Sequence, residues 1–157
     1  MKLAIASDHR GFDTKKRLLP WLSSEQRVVK DHGCFDTAVV DYPDFAAAVA
    51  FDVASGNAEL GILLDGSGIG MAIVANKLPG VYAVDALDTV TSRRAREHHH
   101  CNVLCVGTDL LSDSQVREVI NAFLLAKPGD GRHTRRIEKV RLIETRWCRA
   151  IGDVVST

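Results

Sequence analysis

A glycine-rich loop between an apolar run and a helical pattern constrains the fold of this chain most. Residues 60–64 form an apolar run of strand length, and Asp65 ends it. The loop 66–70 follows, and residues 71–78 carry apolar side chains at helical spacing. Glycine lets a backbone turn sharply and approach a ligand closely, and a helix amino terminus favours an anion. We therefore predict an anion-binding loop with a carboxylate at its mouth.

Two other interpretations of this stretch stay open on the residues alone. Asp65 can simply cap the following helix, with the glycines forming a tight turn. The G-x-G-x-G spacing also falls short of the dinucleotide-binding pattern G-x-G-x-x-G, although Asp85 near the end of the next apolar run could serve as its ribose-binding acid. A carboxylate beside an anion site is the pairing that proton abstraction next to a carbonyl requires, which favours an enzyme.

Composition limits the class of partner. The chain has 157 residues, enough for one domain with a full hydrophobic core. Its formal net charge is zero, so broad electrostatic attraction to nucleic acid or to a membrane surface is not expected. No run approaches the roughly 18 apolar residues of a membrane span, no signal-peptide layout is evident, and the four cysteines form no C-x-x-C pair. We expect a cytoplasmic protein.

Strand patterns alternate with helix patterns five times along the chain. The predicted strands are 2–7, 27–30, 60–64, 80–85 and 101–106. The predicted helices are 12–22, 42–56, 71–78, 89–96, 112–126 and 132–147, and a tail is expected over 148–157. This order predicts an α/β fold, a Rossmann-like three-layer α/β/α domain over residues 1–147 with a five-stranded parallel sheet. Ligands bind at the carboxyl ends of such strands, where Asp8, Asp65 and Asp109 fall.

Three further groups of residues are candidates for catalysis or binding. Asp8-His9 follows the first strand and is either a satisfied turn pair or a pair suited to proton exchange. The run 98–101, His-His-His-Cys, invites a metal site, but consecutive strand residues point to opposite faces, so we predict no metal and favour one histidine as an acid or base. Arg132 and Arg136 share a helix face, either as solvated surface or as a clamp for phosphate or carboxylate.

Several short motifs occur together and in order along the chain. They are Asp8-His9-x-Gly11, Asp41-Tyr42-Pro43, Gly66-Ser67-Gly68-x-Gly70, Ala75-Asn76-Lys77, Arg96-Glu97-His98, Asn102-Val103-Leu104 and Gly131-Arg132-His133-x-x-Arg136. Over about residues 1–145, this joint pattern resembles the ribose-5-phosphate isomerase B and galactose-6-phosphate isomerase family. The resemblance implies a Rossmann-like domain, a homodimer or homotetramer with active sites shared between two chains, and cofactor-free interconversion of an aldose and a ketose.

The resemblance also implies roles for individual residues. Asp8 and His9 would contact the substrate, His98 would open the sugar ring as a proton donor, and Arg132 and Arg136 would hold the phosphate. The amides that would stabilise the enediolate are those of Gly66, Ser67, Gly68, Ile69 and Gly70.

Three positions depart from the family pattern. Asp65 stands where many members have a cysteine base and others use a glutamate further along the loop helix. His99 stands where an asparagine usually follows the catalytic histidine, and Asp109 replaces an arginine that helps to bind phosphate. We expect Asp65 to be the base and the default substrates to be ribose 5-phosphate and ribulose 5-phosphate. The alternatives are another sugar phosphate, a sugar acid, or a sugar-phosphate-binding protein without catalysis.

Overall fold

All five strands run parallel in one sheet, with the order β2-β1-β3-β5-β4. The structure, a computed structural model, describes residues 1–23 and 27–155. The elements are β1 (Lys2–Ser7), α1 (Phe12–Leu22), β2 (Val28–Asp31), α2 (Tyr42–Ala54), β3 (Leu60–Asp65), α3 (Ile69–Ala75), β4 (Ala83–Asp85), α4 (Thr89–His99), β5 (Val103–Gly107), α5 (Asp113–Leu125) and α6 (Arg132–Val155).

The sheet separates two apolar clusters, as a three-layer domain requires. Leu3 and Ile5 of β1 point into one cluster, which α1, α4 and α5 complete. Ala4 and Ala6 point into the other, beneath α2 and α3. Every residue of the central strand β3 is buried, which explains its continuous apolar run. The predicted α/β fold is confirmed.

Several predicted bounds differ from those observed. Helix α3 begins at Ile69 rather than residue 71, because Gly68 in the left-handed region already turns the chain into the helix. Strand β4 is only Ala83–Asp85, since the pairing with β5 covers no more of it. Asp41 holds the N-cap position of α2 without a side-chain cap bond, whereas Ser112 and Gln115 form a capping box at the start of α5.

The first two residues of the histidine run are helical, and strand β5 begins only at Val103. Helix α4 extends through His99, and His100 ends it with a left-handed φ of 52°. The expectation that these side chains alternate across a strand was therefore wrong, because α4 continues past Arg96 until His100, where backbone N–H groups bond to the carbonyl oxygens of Ala95 and Arg96. Within residues 1–23 and 27–155, no group of three His, Cys, Asp or Glu side chains could hold a metal ion.

The last helix is longer than predicted. Helix α6 runs from Arg132 to Val155, so residues 148–155 continue the helix where a separate tail was expected. That segment contains no proline, and Gly152 is the residue in it with the lowest helix propensity. Ile137 is buried against the body, whereas Leu142 and Trp147 are 58% and 66% exposed. In the described part of the chain, no helix combines the length and apolarity needed to cross a membrane.

The start of helix α1 packs closely on the end of β3, directly beneath the candidate site. A Cβ added to Gly11, just before α1, would lie 2.3 Å from the carbonyl oxygen of Leu64. The φ of Gly11 is −82°, so space and not backbone strain demands glycine there. By contrast, Gly56 after α2 has a φ of +75° and open space around it.

We predict that Gly11→Ala lowers the free energy of unfolding by about 3 kcal/mol or more, because a backbone carbonyl cannot move aside. Gly56→Ala is the matched control, which carries only backbone strain and costs about 1–2 kcal/mol. Denaturant titration of both variants measures the difference. Equal losses would show that α1 can shift away from β3.

Candidate active site

Asp65 ends the buried strand β3 and starts the glycine loop. Its side chain is buried, and Oδ1 accepts hydrogen bonds from the amides of Ser67, at 3.0 Å, and Gly68. The Thr108 amide and hydroxyl both donate to the Asp65 carbonyl oxygen, at 2.8 and 2.9 Å, which joins the loop to the end of β5. The loop amides therefore hold the carboxylate, while Thr108 holds the backbone of the same residue.

These hydrogen bonds reduce the number of loop amides that can bind a ligand. We predicted that the amides of 66–70 face a ligand, but those of Ser67 and Gly68 are directed at Asp65 itself. Burial raises the pKa of Asp65 above its ordinary value, the Gly68 hydrogen bond opposes that rise, and the charge of Asp8 adds to it. A carboxylate with a raised pKa is a stronger base than one in water.

Asp8 follows β1 and lies next to this loop. Its Oδ1 accepts from the amides of Arg10, at 2.9 Å, and Gly11, at 3.0 Å, so the carboxylate closes its own turn. His9 Nδ1 accepts a long 3.4 Å hydrogen bond from the Val40 amide, which ties the turn to the loop before α2. Asp8 is thus fixed by its turn, and His9 remains half-buried beside it.

Arg10 and Asp109 meet across the end of β3. Arg10 Nε donates to Asp109 Oδ2 at 2.7 Å, and its terminal nitrogen forms an ion pair with the same oxygen. A Cβ on Gly66 would lie 2.8 Å from both partners, so the pair sits directly over the first glycine of the loop. No motif distinguishes Arg10 from an ordinary turn residue, so the sequence does not predict its place in this site.

These groups line one open cleft of about 400 Å³ at the carboxyl edge of the sheet. A cleft of similar size, about 340 Å³, lies near Trp21 and Arg117, so volume alone does not select the site. The convergence of carboxylates and glycine amides selects it. The lining residues are Asp8, Arg10, Tyr42, Asp65, Gly66, Ser67, Gly70, Asp109 and Leu110.

Two further residues shape the loop from its sides. The ring of Tyr42 lies so close to Gly70 that an added Cβ would be 2.9 Å from it. Asp85, at the end of β4, lies against Gly68, where a Cβ would be 2.1 Å from Asp85 Oδ1. Burial and the charge of Asp65 raise the pKa of Asp85 to about 6. Asp85 does not line the cleft.

The predicted histidine and arginine residues form a second group. His98 in the last turn of α4 stacks on His133, with ring centroids 4.5 Å apart and nearly parallel planes. The Gly129 amide donates to the Glu97 carbonyl oxygen at 2.9 Å, which brings the start of α6 to this point. Arg132 and Arg136 are exposed on α6, and His99 is exposed on α4.

The two groups lie at opposite edges of the sheet in one chain. Helix α4 starts after β4 at the carboxyl edge of the sheet and carries the chain back to the amino edge. There the Asn102 amide, just before β5, donates to the carbonyl oxygen of Tyr82, just before β4. Asp65 pairs with Gly107, and the four residue steps from Val103 to Gly107 span about 13 Å. One chain therefore does not bring Asp65 and His98 together.

Comparison with known proteins identifies the family. The sequence profile described as Ribose/Galactose Isomerase matches residues 3–140. The chain belongs to this family. A putative sugar phosphate isomerase of Bacillus subtilis is 39% identical over 141 residues, which cover 89% of this chain and 95% of the relative. A probable ribose-5-phosphate isomerase B of Mycoplasma genitalium is 42% identical over 139 residues, covering 87% and 91% of the two chains.

Solved structures of ribose/galactose isomerases show the same fold. Ribose-5-phosphate isomerase B of Clostridium thermocellum matches with a TM-score of 0.91 and 35% identity over 94% of this chain and 99% of that chain. The Mycoplasma genitalium enzyme with bound ribulose-5-phosphate matches with a TM-score of 0.88 and 39% identity over 92% and 96%. The resemblance read from the motifs is thereby confirmed.

The raised pKa of Asp85 predicts a dependence of stability on pH. A carboxyl group with a raised pKa favours folding while it is protonated, and that contribution is lost as the pH rises through about 6. The asparagine of Asp85→Asn stays neutral throughout. The melting temperature of the variant, relative to that of wild type, should therefore increase between pH 4.5 and pH 8. Thermal scans across this range measure the gain. The exposed-site variant Glu118→Gln should show no such trend, and a constant offset for Asp85→Asn would refute the assignment.

Proposed function

We propose that this protein interconverts an aldose and a ketose of a phosphorylated sugar through an enediolate, without a cofactor. The default substrates are ribose 5-phosphate and ribulose 5-phosphate. The observation that carries the proposal is a buried carboxylate, Asp65, at the mouth of a glycine loop in a chain of the ribose/galactose isomerase family. The test is to measure the turnover of ribose 5-phosphate by purified wild-type protein and by Asp65→Asn.

Asp65 is the proposed base that moves the proton between the two carbons. Its loop amides fix the carboxylate through Oδ1, and burial raises its proton affinity, so the group is both positioned and activated. The Ile69 amide donates to Ser67 Oγ at 3.3 Å, so the amides of Gly66 and Gly70 and the Ser67 hydroxyl remain for the developing enediolate oxygen. The positive end of α3 adds to that stabilisation.

A second chain supplies the other half of the proposed site. His98 serves as the proton donor for ring opening, and Arg132 and Arg136 hold the phosphate from the partner. His99 lies next to them as a substrate contact. Helix α6 fits a subunit contact, because Val140, Ile143 and Trp147 recur at helical spacing and leave an apolar stripe exposed. We infer a homodimer or a homotetramer on these grounds.

The charges of the Arg10–Asp109 pair affect which substrate the cleft accepts. Asp109 replaces a family arginine, yet Arg10 places a guanidinium at the same mouth of the cleft. The pair has no net charge, so a phosphate near it meets attraction from Arg10 and repulsion from Asp109. Asp8 and His9 are left to bind the sugar hydroxyls. This arrangement keeps ribose 5-phosphate as the default and leaves another sugar phosphate as the alternative.

We place the protein in the cytoplasm. Sugar phosphates are intracellular metabolites because their charge prevents passive escape across a bilayer. Cys34, Cys101, Cys105 and Cys148 are free thiols, which suits a reducing compartment. Expression with a fluorescent tag and fractionation would test this placement.

Asp65→Asn should lower kcat by about 10² or more and leave sugar-phosphate affinity within a few-fold, because the amide keeps the shape and removes the base. Steady-state kinetics and calorimetry measure the two effects. Glu118→Gln removes an exposed acid on α5 and should leave both unchanged. Wild-type turnover in Asp65→Asn would reduce Asp65 to a residue that only fixes the loop before α3.

Two inactive variants should restore activity when they share an oligomer. Asp65→Asn and His98→Asn chains, co-expressed, form mixed dimers in which one site keeps both groups. About a quarter of wild-type activity is expected from random pairing. Mixing Asp65→Asn with Asp8→Asn is the matched control, since both losses fall in the same half of the site. No recovery in the first mixture would mean that one chain carries a complete site.

Asp109→Asn should free Arg10 and improve kcat/KM for ribose 5-phosphate up to about tenfold, the scale of one hydrogen bond to a charged group. Arg10→Gln should do the reverse. Asp113→Asn is the control, because Asp113 forms a similar pair with Arg17 away from the cleft. A loss in Asp109→Asn would favour a substrate whose hydroxyl group Asp109 binds.

A further inference from the structure

A second carboxyl group lies on the other side of the loop backbone from Asp65. The Gly68 amide donates to Asp65 Oδ1, and the Gly68 Cα lies against Asp85 Oδ1, where no side chain could fit. The two acids thus contact the same residue from different directions. One hydrogen bond and the width of one residue separate them, a distance of about 7 Å or less.

We propose that Asp85 is a positioning residue that strengthens Asp65 as a base through its negative charge. The proposal rests on the assignment of Asp65 as the base in the proposed function. Asp85 does not touch the substrate, because it lies behind Gly68 and not in the cleft lined by Asp65 and Asp8. It acts on the reaction through Asp65 alone.

No cation shields the two acids from each other among the described residues that act on Asp85. The charge that acts on it is that of Asp65. From β5, the neighbouring group is the thiol of Cys105, whose pKa burial raises well above its ordinary value, so it stays neutral. From α4, Asp88 is engaged with Thr91, and the charge of Arg94 acts on Asp88.

Two close carboxyl groups titrate as a pair in two steps. Asp65, held by amides, ionises first, and Asp85 follows with a pKa of about 6. Between these steps Asp65 is negative beside a neutral acid. Above the second step both are negative, and the repulsion raises the proton affinity of Asp65. A base of higher proton affinity removes a carbon-bound proton faster.

The packing of Asp85 is costly for a residue with only a structural role. Its Oδ1 is buried and has no hydrogen-bond partner within residues 1–23 and 27–155. An unpaired buried carboxylate destabilises the folded protein, and an apolar residue at the end of β4 would avoid that cost. Such groups concentrate at functional sites, where their charge is used.

Carbon-13 NMR of the aspartate carboxyl groups tests the coupling without reference to activity. The Asp65 signal, assigned by its loss in Asp65→Asn, should show a second inflection near pH 6 in wild type. That inflection should be absent in Asp85→Asn and in Asp85→Ala, the second variant in case one folds poorly. An inflection that persists in a folded Asp85 variant overturns the proposal.

The pH dependence of kcat supplies the kinetic arm. The kcat of wild type should rise near pH 6, and that of Asp85→Asn should not. At pH 8 the kcat of Asp85→Asn should be about three- to tenfold lower than that of wild type. Glu118→Gln should match wild type, and histidine ring signals report whether His98 titrates in the same range. If the NMR coupling is present but the rates do not change, Asp65 is not the base and the proposed function fails instead. If the coupling is absent while Asp65→Asn is inactive, only the role of Asp85 fails.

Discussion

The burial of one carboxylate at the end of the central strand governs the rest of the site. Asp65 terminates a strand that is buried along its whole length, and its own loop amides compensate for the loss of water. Those bonds set the path of the glycine loop and the start of α3. The adjacent strands β1 and β5 then place Asp8 and Asp109 at the same edge. Burial and neighbouring negative charge together oppose ionisation, which suits a base.

Parallel topology explains why the two groups of candidate residues lie at opposite edges of the sheet in one chain. A helix that connects two parallel strands returns the chain to the amino edge, so residues at its end face away from the carboxyl edge. His98 is in that position at the end of α4, and the His98–His133 stack brings the start of α6, with its arginines, to the same place. A symmetric partner can bring the amino edge of one sheet to the carboxyl edge of another. The exposed apolar side of α6 is consistent with that arrangement.

The sequence predicted the fold and the cleft but not every contact within them. Hydrophobic patterns and the glycine loop gave β3, α3 and the position of Asp65, since these depend on local residues. The helical state of His98 and His99 was missed because polar residues at a helix end carry no periodic signal. The Arg10–Asp109 pair and the contact of Asp85 with Gly68 were not predicted, because each depends on residues that are distant in sequence. Only tertiary structure brings such pairs together.

Solvent exchange at carbon tests the central claim most directly. Wild-type protein incubated with ribose 5-phosphate in D₂O should introduce deuterium at the carbon next to the carbonyl, as seen by proton NMR. Asp65→Asn, with the same sugar phosphate bound, should introduce deuterium at least about 10² times more slowly. Exchange at the wild-type rate in Asp65→Asn would contradict the account, because the proton would then be removed by another group.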